Sequence, residues 1–124
     1  MSARAPAPGT TRAQRESAMR AWHGHELMEA AKPLVERWQR TLGVRANEVR
    51  VRDMRTRWGS CSGKPKRVWL SARLATKPPR LLEYVVLHEL AHLIVMDHGS
   101  GFAAIMDRHM PDWRERKAAL NAGR

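Results

Sequence analysis

Residues 88–98 read HELAHLIVMDH, a spacing suited to metal chemistry. At about 100° per residue on a helix, His88 and His92 lie roughly 40° apart on one face, one turn above each other. Two imidazoles so arranged can close on one metal ion. Glu89 falls about 60° further round on the same side, within reach of water at that metal. His98 follows in the same stretch and offers a third ligand. Three protein ligands, an open fourth position and a carboxylate base are the parts of a catalytic zinc site. A structural site fills its fourth position with Cys or His.

The element that must carry these residues is a helix over 78–96, apolar on nearly all sides. Pro78 and Pro79 suit its first turn, where missing N–H groups do no harm. A helix apolar all round is a buried one. Past its first two turns the polar groups are His88, Glu89 and His92, and a metal is the simplest partner for all three. Asp97, His98 and Gly99 break the pattern, and Gly99 can supply a left-handed stop. The His-Glu-His centre and charged flanks argue against a membrane span.

The rest of the chain reads as supporting structure. A helix is expected over about 24–42, from Leu27, Leu34, Val35, Trp38 and Leu42, with Gly43 as its stop. Pro33 lies inside this stripe and either kinks the helix or marks its start. Val49 and Val51 alternate with Arg50 and Arg52, a half-buried strand over 48–54. Two further short strands fit Trp58–Cys61 and 67–71, joined by a turn at Ser62-Gly63-Lys64-Pro65. Phe102, Ile105 and Met106 recur at helical spacing. Beyond Pro111, Asp112 and Glu115 resemble a capping box for a last helix to about 121. Residues 1–20 lack apolar periodicity and read as a disordered basic tail before a single domain over 21–124.

Composition narrows the partners. The 124 residues carry a formal net charge of +11, of which +3 falls in the first 20. That balance suits acidic partners, including nucleotides or a nucleic-acid backbone. Arg50, Arg52, Arg55, Arg57, Lys64, Lys66 and Arg67 cluster around the expected strands, opposed by Asp53. They form either a docking surface for phosphate or carboxylate or a solvated outer face. Trp58 and Trp69 suit a core, so base-stacking recognition of nucleic acid is not supported. The single Cys61 excludes an internal disulfide and fits a reducing cytoplasm. With no CxxC partner, Cys61 reads as a small buried strand residue. No secretory signal is evident, and His23 and His25 read as surface residues.

The combination of R57-W-G-S-C-S62, P78-P79, Y84-V-V-L-H-E-L-A-H-L93 and D97-H98 with Phe102 resembles the YgjP-like metallopeptidase family, a relative of the WLM and SprT-like zinc peptidases. The resemblance covers about residues 48–115. It implies an α+β, zincin-like fold: a short antiparallel sheet of about three strands packed on the buried HExxH helix, with helices at both ends. It further implies that His88, His92 and His98 bind one zinc ion and that Glu89 is the general base. The chain departs from the family pattern at Ser71-Ala72, Asp97, Gly99 and Ala103. The metzincin pattern has a turning Gly where this chain has Val95. The turn before His98 is therefore expected at Asp97–Gly99, with Asp107 or His109 as substitute ligands.

The expected activity is hydrolysis of peptide bonds in peptide or protein substrates, with Glu89 taking a proton from the attacking water. Tyr84, Arg55 and Arg57 are candidates for holding substrate or its oxyanion. Two other readings use the same residues. One is metal-dependent hydrolysis of nucleoside triphosphates or other phosphorylated small molecules. The other is a non-catalytic, zinc-stabilised binding module, which has no use for Glu89.

Overall fold

Thr11 opens the longest element. In the computed structural model, which describes residues 11–122, helix α1 runs over Arg12–Leu42. The Thr11 hydroxyl accepts from the Gln14 N–H (3.1 Å), and the Gln14 side chain accepts from the Thr11 N–H (2.9 Å). This reciprocal cap satisfies two donors that a helix start otherwise leaves open. The helix thus begins well before the 24 expected from its apolar stripe, because residues 11–19 are all exposed and carry no such stripe. The segment expected as a tail is helical from Arg12 onward; residues 1–10 lie outside the described residues. Leu27, Ala31, Val35 and Trp38 form the buried face. Pro33 is accommodated inside the helix, and Gly43 ends it in the left-handed region (φ 70°).

Three strands follow: β1 (Glu48–Arg52), β2 (Gly59–Ser62) and β3 (Arg67–Ser71). Their order is β1-β3-β2. The hairpin partners β2 and β3 are antiparallel, but β1 runs parallel to β3. The sheet is therefore mixed, which corrects the antiparallel expectation. The chain leaves β1, crosses the end of β3 through residues 53–58, and returns along the far edge as β2. Ser71, fully buried, fastens that crossing. Its hydroxyl donates to the Met54 carbonyl (3.0 Å), and its N–H donates to the Trp58 carbonyl (2.9 Å). The departure from the family pattern at Ser71 thus falls on a residue that holds the crossing loop.

A 3₁₀ turn over Ala72–Thr76 leads to α2 (Pro79–Ala91), followed by α3 (Ser100–His109) and α4 (Trp113–Ala122). Helix α2 lies at the centre, packed by α1, α4 and the sheet. Leu82, Val85, Val86, Leu87 and Leu90 are buried in one core with Val68 and Leu70 of β3 and Leu27 of α1. Glu83 ties three helices together. It accepts from Trp38 Nε1 of α1 (3.1 Å) and pairs with Arg37 (2.7 Å) and with Arg116 of α4 (3.3 Å). The Asp112 carboxylate pairs with Arg116 (3.1 Å), and Glu115 lies 3.6 Å from Arg80. No helix among the described residues is long and apolar enough to cross a membrane.

Helix α2 stops earlier than its apolar run predicts. The N–H groups of His92, Leu93 and Ile94 bond to carbonyls three residues back, tightening the chain into turns. Ile94 and Met96 are consequently 48% and 56% exposed. A side-chain contact accompanies this early end: His92 Nδ1 lies 3.0 Å from the Val95 carbonyl oxygen. In a continuing helix that carbonyl would point along the axis, away from a side chain that leans toward the N-terminus. The chain turns first at 92–94 and bends again at Asp97–Gly99, as expected, but Gly99 is extended (φ −83°) and caps the start of α3 instead of supplying a left-handed stop.

Candidate active site

The last turn of α2 and the segment after it bring three imidazoles together. His88 Nε2 lies 3.2 Å from His98 Nε2, and His92 Nε2 lies 2.9 Å from the same atom. One ligand atom from each falls within 4.8 Å of the others. Zinc–imidazole bonds of about 2.0–2.1 Å at tetrahedral angles set ligand nitrogens roughly 3.3 Å apart, so the spacing fits one small cation.

The hydrogen bonds behind the rings fit it too. A backbone carbonyl only accepts, so His92 Nδ1 carries the proton and its Nε2 faces inward bare. His88 Nδ1 lies 3.1 Å from the Tyr84 hydroxyl. When His88 Nε2 ligates a metal, Nδ1–H donates to that oxygen. Burial pushes the His88 imidazolium pKa down to about 3, with His92 and His98 adding to the shift; burial lowers His92 as well. Both rings are therefore neutral at pH 7, the form that ligates. Phe102 of α3 backs the cluster. Its ring stacks on His92 (4.9 Å, 18°) and lies 4.9 and 5.1 Å from His88 and His98.

His98 is exposed, on the segment joining α2 to α3. The alternative ligands are elsewhere. The Asp107 carboxylate accepts from Trp113 Nε1 (2.8 Å) and pairs with Arg114 (2.7 Å), while His109 packs edge-on against Trp38.

Glu89 is 6% exposed and lies beneath β2. Burial pushes its carboxyl pKa up to about 8, with Arg57 opposing the shift. A dication held by the neighbouring histidines would oppose it further. Gly59 makes room for this carboxylate. A Cβ there would lie 2.9 Å from Glu89 Oε2, 3.0 Å from the Trp69 carbonyl oxygen and 3.0 Å from Val85. A glycine within a strand marks such close approaches, so Trp58-Gly59-Ser60 carried a signal that sequence reasoning passed over. Gly59→Ala is expected to cost about 1–3 kcal/mol by overpacking and to lower kcat/KM at least about tenfold by displacing Glu89. Denaturant unfolding and steady-state kinetics on the same sample check both; unchanged values would mean that the strand yields.

The histidines and Glu89 line a cleft of about 470 Å³. Arg57, Trp58, Gly59, Ser60 and Cys61 form one wall, and Lys117, Leu120 and Asn121 of α4 form another. The α4 residues left no trace in the sequence, since only tertiary packing brings that helix to the cleft. Arg57 is in the cleft, but Arg55, two residues earlier on the crossing loop, is not. Tyr84 is buried, and its hydroxyl is engaged with His88. Burial pushes the Cys61 thiol up to about 11; the residue is half-buried and borders the cleft, and its thiol stays protonated. Trp58 and Trp69 are only partly buried. Arg52 lies over the Trp69 ring at 4.4 Å. His25 is exposed as expected, whereas His23 is partly buried.

The crystal structure of the metallopeptidase zymogen abylysin of Pyrococcus abyssi is similar to this fold, with a TM-score of 0.68 and 22% identity over 75% of this chain and 93% of that one. The metallopeptidase zymogen jannalysin of Methanocaldococcus jannaschii matches with a TM-score of 0.66 and 21% identity, over 74% and 94%. No curated protein matches the sequence. The family model described as the YgjP-like metallopeptidase domain matches residues 3–123, nearly the whole chain. With a zincin-like α+β fold around its three histidines, the chain belongs to the YgjP-like metallopeptidase family.

Proposed function

We propose that this metallopeptidase holds one zinc ion through His88, His92 and His98 and cleaves peptide bonds with Glu89 as general base. The observation that carries this reading is the convergence of three imidazole nitrogens beside a buried carboxylate on the wall of an open cleft. A zinc ion bound there supplies Lewis acidity, acidifying water toward neutral pH and polarising a carbonyl.

The chain's own residues do the rest. The Glu89 carboxylate takes the proton of the water that attacks the peptide carbonyl and delivers it to the departing amine. Burial under β2 keeps that carboxylate out of bulk solvent and in a fixed place. Tyr84 and the Val95 carbonyl are positioning groups that hold His88 and His92 in the right tautomer. Arg57 offers a cation to the substrate at the cleft wall. Among the described residues β2 has a strand partner only in β3, so its other edge can receive an extended peptide as an added strand. The single cysteine suits a reducing cytoplasm.

Membership in a peptidase family favours this reading over nucleotide hydrolysis, and Glu89 argues against a non-catalytic module. The test is cleavage of casein and of a quenched fluorescent peptide pool by zinc-loaded protein. Turnover is expected that stops on chelation and returns with zinc. Turnover of a nucleotide panel with no peptide cleaved would overturn the proposal.

A further inference from the structure

The crossing loop 53–58 has two sides, and the metal cleft uses only one. On the other side lies a cavity of about 700 Å³. Thr56, Arg57 and Trp58 line both spaces, so the two adjoin across the loop. The walls of the second bring Arg55, Arg57, Arg73 and Lys77 together. The one carboxylate among its lining residues is Asp53, which is bonded to Arg73 Nε (3.1 Å). Lys77 Nζ lies 5.5 Å from the Trp58 ring centroid. Arg55 and Arg57 are exposed and form no ion pair among the described residues. Four cations thus surround a concave space with one carboxylate already engaged. The buried Ser71 hydroxyl holds the loop that presents Arg55 and Arg57, while Arg73 and Lys77 come from the 3₁₀ turn and the residue after it.

We propose that this cavity is a specificity subsite for acidic side chains of the peptide being cleaved, with Arg55 as its principal contact. The inference rests on the peptidase reading above, since it takes the cleft as the place where the peptide lies. A chain lying along β2 passes the shared wall of Thr56, Arg57 and Trp58. A Glu or Asp side chain to that side of the scissile bond then enters the cavity and meets guanidinium groups that bind carboxylates in a bidentate fork. The substrate class is peptides that are acidic on one side of the cleaved bond.

A net charge of +11 attracts any acidic peptide, so the test must read position. Three fluorescein-labelled peptides of one core sequence serve: Glu residues before the centre, Glu residues after it, and Gln throughout. Binding to the full chain is followed by anisotropy at low and at high salt. Both Glu peptides should gain over the Gln peptide at low salt through the net charge, and one of them is expected to bind about tenfold tighter than the other. The difference should shrink in roughly 0.5 M salt. Arg55→Glu should abolish the positional preference, and Arg55→Lys, which keeps the charge but not the fork, should retain only part of it. Equal gains for both Glu peptides, no gain for either, or a preference that survives Arg55→Glu would each overturn the subsite. Cleavage of the Gln peptide by zinc-loaded protein is read in parallel. Its absence counts against the peptidase reading alone, and its presence without positional preference counts against the subsite alone.

Discussion

Glu89→Gln protein loaded with zinc is expected to keep its fold and its metal and to lose about 10²–10⁴ of kcat/KM, the range that a general base contributes. The substitution conserves shape where shape is critical, because Glu89 Oε2 lies 2.9 Å from where a Gly59 Cβ would be. It removes the basic oxygen while leaving the three imidazoles untouched. Its effect on stability separates chemistry from folding. Burial pushes the Glu89 carboxyl up to about 8, which means that the metal-free fold resists a charge there. A neutral amide lifts that penalty. The metal-free variant should therefore melt no lower than the parent, even as activity disappears. Zinc stoichiometry, thermal melting and peptide turnover measured on one preparation decide the matter. Full activity in the folded, zinc-loaded variant would remove Glu89 from the mechanism.

That Glu89 could be singled out at all reflects what a helix makes legible. His88, Glu89 and His92 sit within about one turn, so their mutual placement follows from local geometry. The three strands were readable for a similar reason: alternation and turn residues are local signals, and all three lie close to where those signals put them. What could not be read depends on contacts distant in sequence. The parallel pairing of β1 with β3 depends on the path of the crossing loop and on the Ser71 hydroxyl that fastens it. The early end of α2 is accompanied by the Val95 carbonyl turning back to His92, a bond that no apolar pattern announces. Arg55 and Arg57 look equivalent in sequence, yet only Arg57 borders the metal cleft. Two signals were present and passed over: the capping pair at Thr11 and Gln14, and the glycine at 59.

His98 is the proposed ligand on which sequence and structure bear most differently, and removing it should have the second large effect. Although its ring touches His88, His92 and Phe102, it is exposed between two helices, so it is expected to contribute little to the metal-free fold. His98→Ala should thus shift the metal-free melting temperature hardly at all, as expected for a surface substitution within about 0.5 kcal/mol. With zinc present the outcome changes. Free zinc at about 100 times its dissociation constant stabilises a protein by roughly 2.7 kcal/mol, which for a chain of this size raises the melting temperature by roughly 10 °C. Loss of a direct ligand should weaken zinc binding beyond the 10–100-fold typical of an outer partner, and most of that rise should vanish in His98→Ala. Asp107→Asn is the matched control. Asp107 is held by Trp113 and Arg114, so its variant should keep the full zinc-induced rise. If the rise persists undiminished in His98→Ala and falls in Asp107→Asn, α3 repositions in solution to supply the third ligand. If it falls in His98→Ala alone, the short segment after α2 completes the metal site, with Phe102 behind it holding all three rings in register.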